Sequence, residues 1–168
     1  NQWVTINLVA FDDFAANKVN LLEPVQGKSE AGKDEILLEK NALKDLNMSV
    51  GDKLVIELSD GTLKTLEVVG IVQDASTSAG DFLAPPLAFT VMETMQTLRQ
   101  PETFNRAYVT VSELPNDSAH IRTTGGEVKD KLERNGTLVA RSRFSERNKH
   151  PLTDTLNAVL GILLALGI

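Results

Sequence analysis

The sequence predicts an α+β domain with two lobes. Apolar and polar residues alternate in several short segments, which is typical of half-buried strands. In other segments apolar residues recur every three or four positions, which is typical of amphipathic helices. Of the 168 residues, 42% are hydrophobic and 24% are charged, which is the composition of a globular chain. A β-rich block lies between an N-terminal strand and a β-α-β-α-β succession, and this order favours an α+β fold.

The first half of the chain contains the N-terminal strand and the β-rich block. Its predicted elements are a strand, a second strand, a short helix and a hairpin, over 3–11, 35–39, 41–46 and 53–72. Asn41 is placed to cap the short helix, and Asp60-Gly61 is the turn of the hairpin. The pairing that buries the apolar residues of both hairpin strands sets Ile56 opposite Leu66, and it predicts a bulge within 62–65.

The second half alternates strands with helices. The predicted elements are a strand, a helix, a strand, a helix and a strand, over 87–90, 92–98, 107–111, 121–132 and 137–144. Thr90 and Glu93 have the spacing of a capping box for the first of these helices. Ile121, Gly125, Val128 and Leu132 fall on one face of the second helix. Asn135-Gly136 is typical of a helix end.

Composition and charge exclude several classes of function. The chain has no cysteine, and its two histidines, His120 and His150, lie 30 residues apart, so we expect neither a metal site nor a disulfide. The net charge of −6 argues against general nucleic-acid binding. The charge is uneven, because residues 1–98 carry 7 Lys and Arg against 15 Asp and Glu, whereas 99–149 carry 10 against 7. The two parts are therefore expected to face different surroundings.

Catalytic motifs do not emerge from the pattern. The adjacent carboxylates Asp12-Asp13 and Asp34-Glu35 should point apart, whereas a catalytic acid–base pair must converge in a cleft. Neither histidine accompanies a nucleophile motif, and Gly125-Gly126 lies in a helical pattern without the lysine of a phosphate loop. We therefore expect a protein that is not an enzyme, with no catalytic, cofactor-binding or metal-binding residues and no cofactor.

The C-terminal segment consists of eleven consecutive apolar residues, 158–168. One interpretation is a helix that packs on the core. The favoured one is that 150–168 begins a transmembrane helix, since a surface helix would carry polar residues every third or fourth position. Basic residues precede this segment and are expected to contact anionic lipid headgroups: Arg141, Arg143, Arg147 and Lys149.

Four segments carry a resemblance to a known family. They are the glycine-containing loop and strand 27–39, the Ser-Val-Gly-Asp turn within 42–54, the Val-Val-Gly-Ile strand within 66–72, and Asn-Arg-Ala-Tyr-Val at 105–109. In this pattern the chain resembles the extracytoplasmic core domain of MacB/FtsX-type ABC transporter permeases.

The resemblance implies a porter-like lobe from 1–20 and 82–149, and an inserted small β-rich lobe from 21–81. It implies a bacterial cytoplasmic membrane location, with the domain on the periplasmic or extracellular side. The implied function is non-catalytic and couples ATP-driven movement to substrates or partners outside the membrane. Implied partners are an ATP-binding ABC subunit or domain, a second permease copy and an extracytoplasmic protein, but no nucleic acid.

Two alternatives remain open from the sequence. A Val-Gly-Asp turn before a hairpin also occurs in AbrB-like swapped-hairpin modules, so the chain could be a soluble transcription regulator that binds duplex DNA in a salt-dependent manner. An acidic-surfaced hydrolase would instead require carboxylates with perturbed pKa values in a cleft.

Overall fold

The computed structural model describes residues 3–74, 85–144 and 153–167, and it confirms the α+β class. The chain divides into two units, Asn1–Arg106 and Ala107–Ile168. In the described residues, the first unit contains a mixed sheet and short helices, and the second contains two longer helices joined by irregular segments.

The sheet of the first unit has six strands within the described residues. They are β1 Asn7–Phe11, β2 Leu22–Gly27, β3 Glu35–Glu39, β4 Lys53–Glu57, β5 Leu63–Asp74 and β6 Leu87–Val91. The order across the sheet is β1-β6-β3-β5-β2, and β4 pairs with the first part of β5. The β1–β6 and β3–β5 pairs are parallel, and the other pairs are antiparallel.

Strands from both predicted lobes take part in this sheet. Strand β6, which was expected in the same lobe as β1, pairs with β1 on one side and with β3 on the other. The pairs Leu37–Phe89 and Leu38–Ala88 thus join the two predicted lobes through one continuous sheet. The predicted boundary at 81/82 lies outside the described residues.

Strand β3 explains why one sheet has a core on each face. Its central residues Ile36, Leu37 and Leu38 are fully buried. Ile36 and Leu38 pack in one cluster with Met95 of helix α2 (Met92–Thr97). Leu37 points to the other face and packs in a second cluster with Phe89. A strand that is covered on both faces has a continuous apolar run, and this is the pattern of Glu35–Glu39.

Strand β5 bends where Val69 interrupts its pairing with β3. The register passes from Ile36–Val68 to Leu37–Gly70 and leaves Val69 without a counterpart on β3. On the other side of β5, Gly70 pairs with Gly27 of β2. A Cβ atom on Gly70 would overlap the carbonyl oxygen of Lys28 and approach Leu37 Cδ2 to 2.9 Å. Glycine is therefore required at position 70 by the close approach of two backbones.

The hairpin of β4 and β5 forms, but the predicted pairing of Ile56 with Leu66 and the predicted bulge within 62–65 are both wrong, because Ile56 pairs with Lys64. The register is constant from Lys53–Glu67 to Glu57–Leu63, and it sets Leu54 opposite Leu66. The loop has three residues, because the Leu58 N–H donates to the Thr62 carbonyl, and its last residue Gly61 has φ +79°. A left-handed third loop residue gives this register without a bulge inside the strands.

Two predicted helix caps are also wrong. The 3-10 turn Lys40–Ala42 and helix α1 (Leu43–Leu46) confirm a helical segment, but the buried Glu39 side chain accepts the Asn41 N–H at 2.6 Å and caps the turn. The Thr90 hydroxyl donates instead to the Glu35 carbonyl at 2.7 Å, and Val91 precedes α2 without a side-chain cap. Thr90 is fully buried, so its hydroxyl satisfies a β3 carbonyl.

In the second unit, helix α3 spans Ser118–Arg134 and helix α4 spans Thr153–Leu166. The predicted end of α3 is confirmed, since Asn135 is its C-cap and Gly136 has φ +85°. Asp117 caps its N-terminus through the N–H groups of Ala119 and His120. The predicted strands 107–111 and 137–144 are wrong, because these residues have no strand partner in the described part of the chain. Alternation shows a preference for extended backbone, but a strand also needs a neighbour to accept its hydrogen bonds.

We predict that Gly70→Ala lowers the free energy of unfolding by about 3 kcal/mol, because the added methyl group meets backbone atoms that cannot rotate away. Gly51→Ala is the matched comparison. A Cβ on Gly51 would have open space, but φ is +96°, so the cost is about 1 kcal/mol of backbone strain. Urea unfolding of both variants measures the difference, and an equal or smaller loss for Gly70→Ala would contradict the steric explanation.

Candidate functional site

The adjacent carboxylates do not converge on a catalytic centre. Asp13 accepts the Ala15 N–H at 2.8 Å in a local turn. Glu35 accepts hydrogen bonds from Lys28 Nζ at 2.7 Å and from the Gly32 N–H at 2.8 Å. These contacts, with that of Lys28 the larger, lower the pKa of Glu35 below its ordinary value. A general acid at neutral pH needs a raised pKa, so this carboxylate is suited to holding a loop closed.

Asp34 lies in a left-handed turn with φ +60°. Its N–H donates to the hydroxyl of the fully buried Thr94 at 3.0 Å, and its carbonyl accepts the Glu67 N–H at 3.1 Å. One carboxylate oxygen, Oδ1, is buried without a hydrogen-bond partner in the described part of the chain. The residue thus connects β3, β5 and α2 through its backbone.

No metal-binding cluster occurs among residues 3–74, 85–144 and 153–167, where no three His, Asp or Glu side chains are grouped to hold an ion. His120 is half-buried in the first turn of α3. His150 lies outside the described residues. The sequence prediction named no catalytic, cofactor-binding or metal-binding residue, so none is placed by the structure.

A contact that sequence reasoning missed joins the hairpin loop to the end of α2. The Arg99 guanidinium forms an ion pair with Asp60 and lies 3.4 Å from the Thr62 hydroxyl. The Thr62 N–H also donates to Asp60, and this hydrogen bond is the largest cause that lowers the pKa of Asp60. Arg99 has φ +53° at the position after α2 where glycine is usual. The signal in the sequence was an arginine after the predicted helix end, at a position where glycine is more common.

The most distinctive surface of the chain is helix α4. Its residues from 158 onward are all apolar, and every side chain described in it, from 156 to 166, is exposed. The large apolar side chains exposed on it are Leu156, Val159, Leu160, Ile162, Leu163, Leu164 and Leu166. These described side chains of α4 are thus not buried within the second unit.

The exposure of α4 has a large energetic consequence. Moving one side chain of this size out of water is worth about 1.5–3 kcal/mol, so a full apolar environment for the seven is worth on the order of 10 kcal/mol. A helix that is apolar on all sides is stable in a protein core or in lipid. In the described residues, no helix has the length and hydropathy needed to cross a membrane. Helix α4 accounts for 14 residues, or about 21 Å.

The predicted basic cluster is described in part. Arg141 and Arg143 are exposed in the irregular segment after α3. Arg147 and Lys149 lie outside the described residues. Two of the four side chains that were predicted to contact lipid are therefore exposed in the structure.

No protein-family model matches this chain, and a search of curated proteins finds no significant match.

We predict that Glu35 supports the fold only while it is ionised. A folded-state pKa below the ordinary value of 4.5 contributes stability above that pH, and the contribution is lost as the pH falls through the lowered value. Glu35→Gln should therefore be less stable than the wild type at pH 7, by about 1 kcal/mol or less because the pair is exposed. The difference should shrink below pH 4.5.

Urea unfolding from pH 7 to pH 3 measures this difference, and Lys28→Met is the companion variant because it removes the largest cause of the lowered pKa. A stability difference between wild type and Glu35→Gln that stays constant with pH would contradict the assignment.

Proposed function

We propose that the chain is an extracytoplasmic domain of a MacB/FtsX-type ABC transporter permease in a bacterial cytoplasmic membrane. It is non-catalytic and couples ATP-driven movement to substrates or partners outside the membrane. The observation that carries the proposal is α4, since its residues from 158 onward are apolar and its described side chains are exposed, and lipid would supply the apolar environment that such a helix requires. In this proposal α4 belongs to a longer helix that enters the membrane.

The placement of the motif segments supports the same proposal. The Gly51 N–H donates to the Val68 carbonyl at 2.7 Å, and the Val68 N–H donates to the Asp52 carbonyl at 2.9 Å. Asp52 also accepts the Ser49 N–H at 2.8 Å, which closes the turn. The Val-Gly-Asp turn and the Val-Val-Gly-Ile strand are thus hydrogen-bonded to each other, so two segments of the resemblance act as one structural unit.

The proposed partners follow from this assignment. An ATP-binding ABC subunit or domain acts through the transmembrane region, a second permease copy forms the dimer, and a further protein is engaged outside. Anionic lipid headgroups lie near Arg141, Arg143, Arg147 and Lys149. Each basic residue near an anionic surface contributes about 1 kcal/mol.

The alternatives gain no specific support. A swapped hairpin needs strand edges that a second chain can occupy, whereas β5 of this hairpin is paired on both sides within the chain, with β3 on one and with β4 and β2 on the other. A second chain could therefore add only at the outer edges of the sheet, β1, β2 and β4. The net charge of −6 also opposes attraction to duplex DNA. A hydrolase needs a general acid with a raised pKa, whereas the pKa values of Glu35 and Asp60 are both lowered.

We predict that the chain floats with vesicles of phosphatidylcholine and phosphatidylglycerol in a density gradient. Leu160→Asp should reduce the partitioning by roughly 100-fold, because a carboxylate at the centre of an apolar helix costs about 3 kcal/mol in the membrane.

The control is Leu138→Asp, since among the described residues Leu138 is the most exposed of the large apolar side chains outside α4, at 88%. This variant should float like the wild type. Wild-type protein that stays at the bottom of the gradient, or equal losses for the two variants, would contradict the membrane assignment of α4.

A further inference from the structure

Strand β1 is an outer strand of the sheet, and one row of its main-chain groups points away from its neighbour. Within the described residues β1 pairs with β6 alone, and the Asn7 N–H donates to the Pro86 carbonyl at 2.8 Å on that side. Successive residues of a strand direct their N–H and carbonyl groups to opposite sides, so those of Leu8 and Ala10 point to the free edge. Such a row can pair with a further strand.

The other two outer strands carry features that oppose pairing. Strand β2 contains Glu23 and Pro24, and its register with β5 shifts directly after the proline. Strand β4 begins with Lys53 and ends with Glu57, and both side chains are exposed. Charges, proline and irregular register are the usual protection of sheet edges. Strand β1 has none of them, because residues 3–11 contain no charge and no proline and the register with β6 is regular.

Both faces of β1 are apolar. Leu8 and Ala10 pack against the first core cluster, and Val9 and Phe11 pack against the second. All four side chains are only partly buried. A strand paired with the free edge would cover side chains on both faces, so a fitting occupant is itself an apolar strand.

We propose that β1 is the surface through which two copies of this chain meet, by antiparallel pairing of β1 with β1 of a second copy. Charge favours this occupant. Residues 1–98 carry 15 acidic against 7 basic residues, so two copies repel each other over most of this surface, whereas 3–11 is an uncharged segment where they can meet. Identical edges also satisfy each other completely, which closes the assembly at two copies.

The register follows from the length of the strand. Overlap of all five residues of β1 sets Val9 on the two-fold axis, opposite its own equivalent, and Leu8 of each copy opposite Ala10 of the other. This pairing exchanges about four main-chain hydrogen bonds. The antiparallel direction also sets Asp12 of the two copies at opposite ends, whereas parallel strands would bring these carboxylates side by side.

Pairing through β1 deepens the proposed function, and it rests on that function for a second copy held nearby. About four hydrogen bonds between strand edges give a weak dimer in solution. Two copies anchored in one membrane have a raised effective concentration, which favours pairing. The free edge itself is a property of the sheet and does not depend on the membrane assignment.

Cysteine cross-linking tests the pairing in the full 168-residue chain, which contains no cysteine. Val9→Cys places two thiols beside the two-fold axis, where the Cα atoms of a non-hydrogen-bonded antiparallel pair are about 4.5 Å apart and a disulfide can form. Val25→Cys is the matched control, since Val25 lies in the outer strand β2 and is 51% exposed. On vesicles of phosphatidylcholine and phosphatidylglycerol, mild oxidation should give a covalent dimer of Val9→Cys but not of Val25→Cys.

A further variant tests the hydrogen bonds of the pair. Ala10→Pro in the Val9→Cys chain removes an N–H that points to the free edge and leaves those that face β6. Because both copies lose this donor, the initial rate of cross-linking should fall about 30-fold, while flotation with the vesicles is unchanged.

Equal cross-linking of Val25→Cys and Val9→Cys, or no covalent dimer of Val9→Cys on vesicles, would overturn the pairing and leave the membrane assignment intact. A chain that does not bind vesicles would overturn the proposed function. In that case the same two cysteine variants in concentrated solution would still decide the pairing, since Val9→Cys should cross-link there faster than Val25→Cys.

Discussion

The fold depends on one close backbone contact in the middle of β5. This strand of 12 residues pairs with β3 on one side and with β4 and β2 on the other, so the sheet can form only if β5 changes course between its partners. The irregular register at Val69 makes that change, and the absence of a side chain at Gly70 lets the Lys28 carbonyl approach. Val68 then faces one cluster of the core and Val69 the other.

Buried hydroxyl groups connect this sheet to α2. Thr90 and Thr94 have no exposed surface, and each satisfies a backbone group at the start of β3, the Glu35 carbonyl and the Asp34 N–H respectively. A buried polar group without a partner would cost about 1–3 kcal/mol, so Thr94 fixes α2 to the start of β3, and Thr90 fixes β6, the strand that leads into α2, to the same place. Together with the ion pair between Arg99 and Asp60, they hold the helix and the hairpin loop to the same sheet.

Local chemistry made part of this structure predictable. The end of α3 at Asn135-Gly136 and the hairpin loop at Asp60-Gly61 were predictable because glycine adopts left-handed backbone without steric cost. The predicted Thr90 cap failed for a tertiary reason, since the buried hydroxyl donates to β3 instead of capping its own helix. The predicted strands 107–111 and 137–144 failed because alternation does not specify a partner. For the candidate site, the apolar character of α4 was readable in the sequence, but the ion pair between Arg99 and Asp60 depends on the path of the chain between them.

The central claim is that this domain lies outside the cytoplasmic membrane, and cysteine labelling of the native gene product in intact cells tests it most directly. Ser59 is an exposed residue of the hairpin loop, and this chain contains no cysteine, so Ser59→Cys introduces a single thiol into it. The proposal predicts that a membrane-impermeant maleimide labels this thiol in intact cells while a cytoplasmic thiol protein in the same cells stays unlabelled. Labelling of Ser59→Cys only after lysis would contradict the claim.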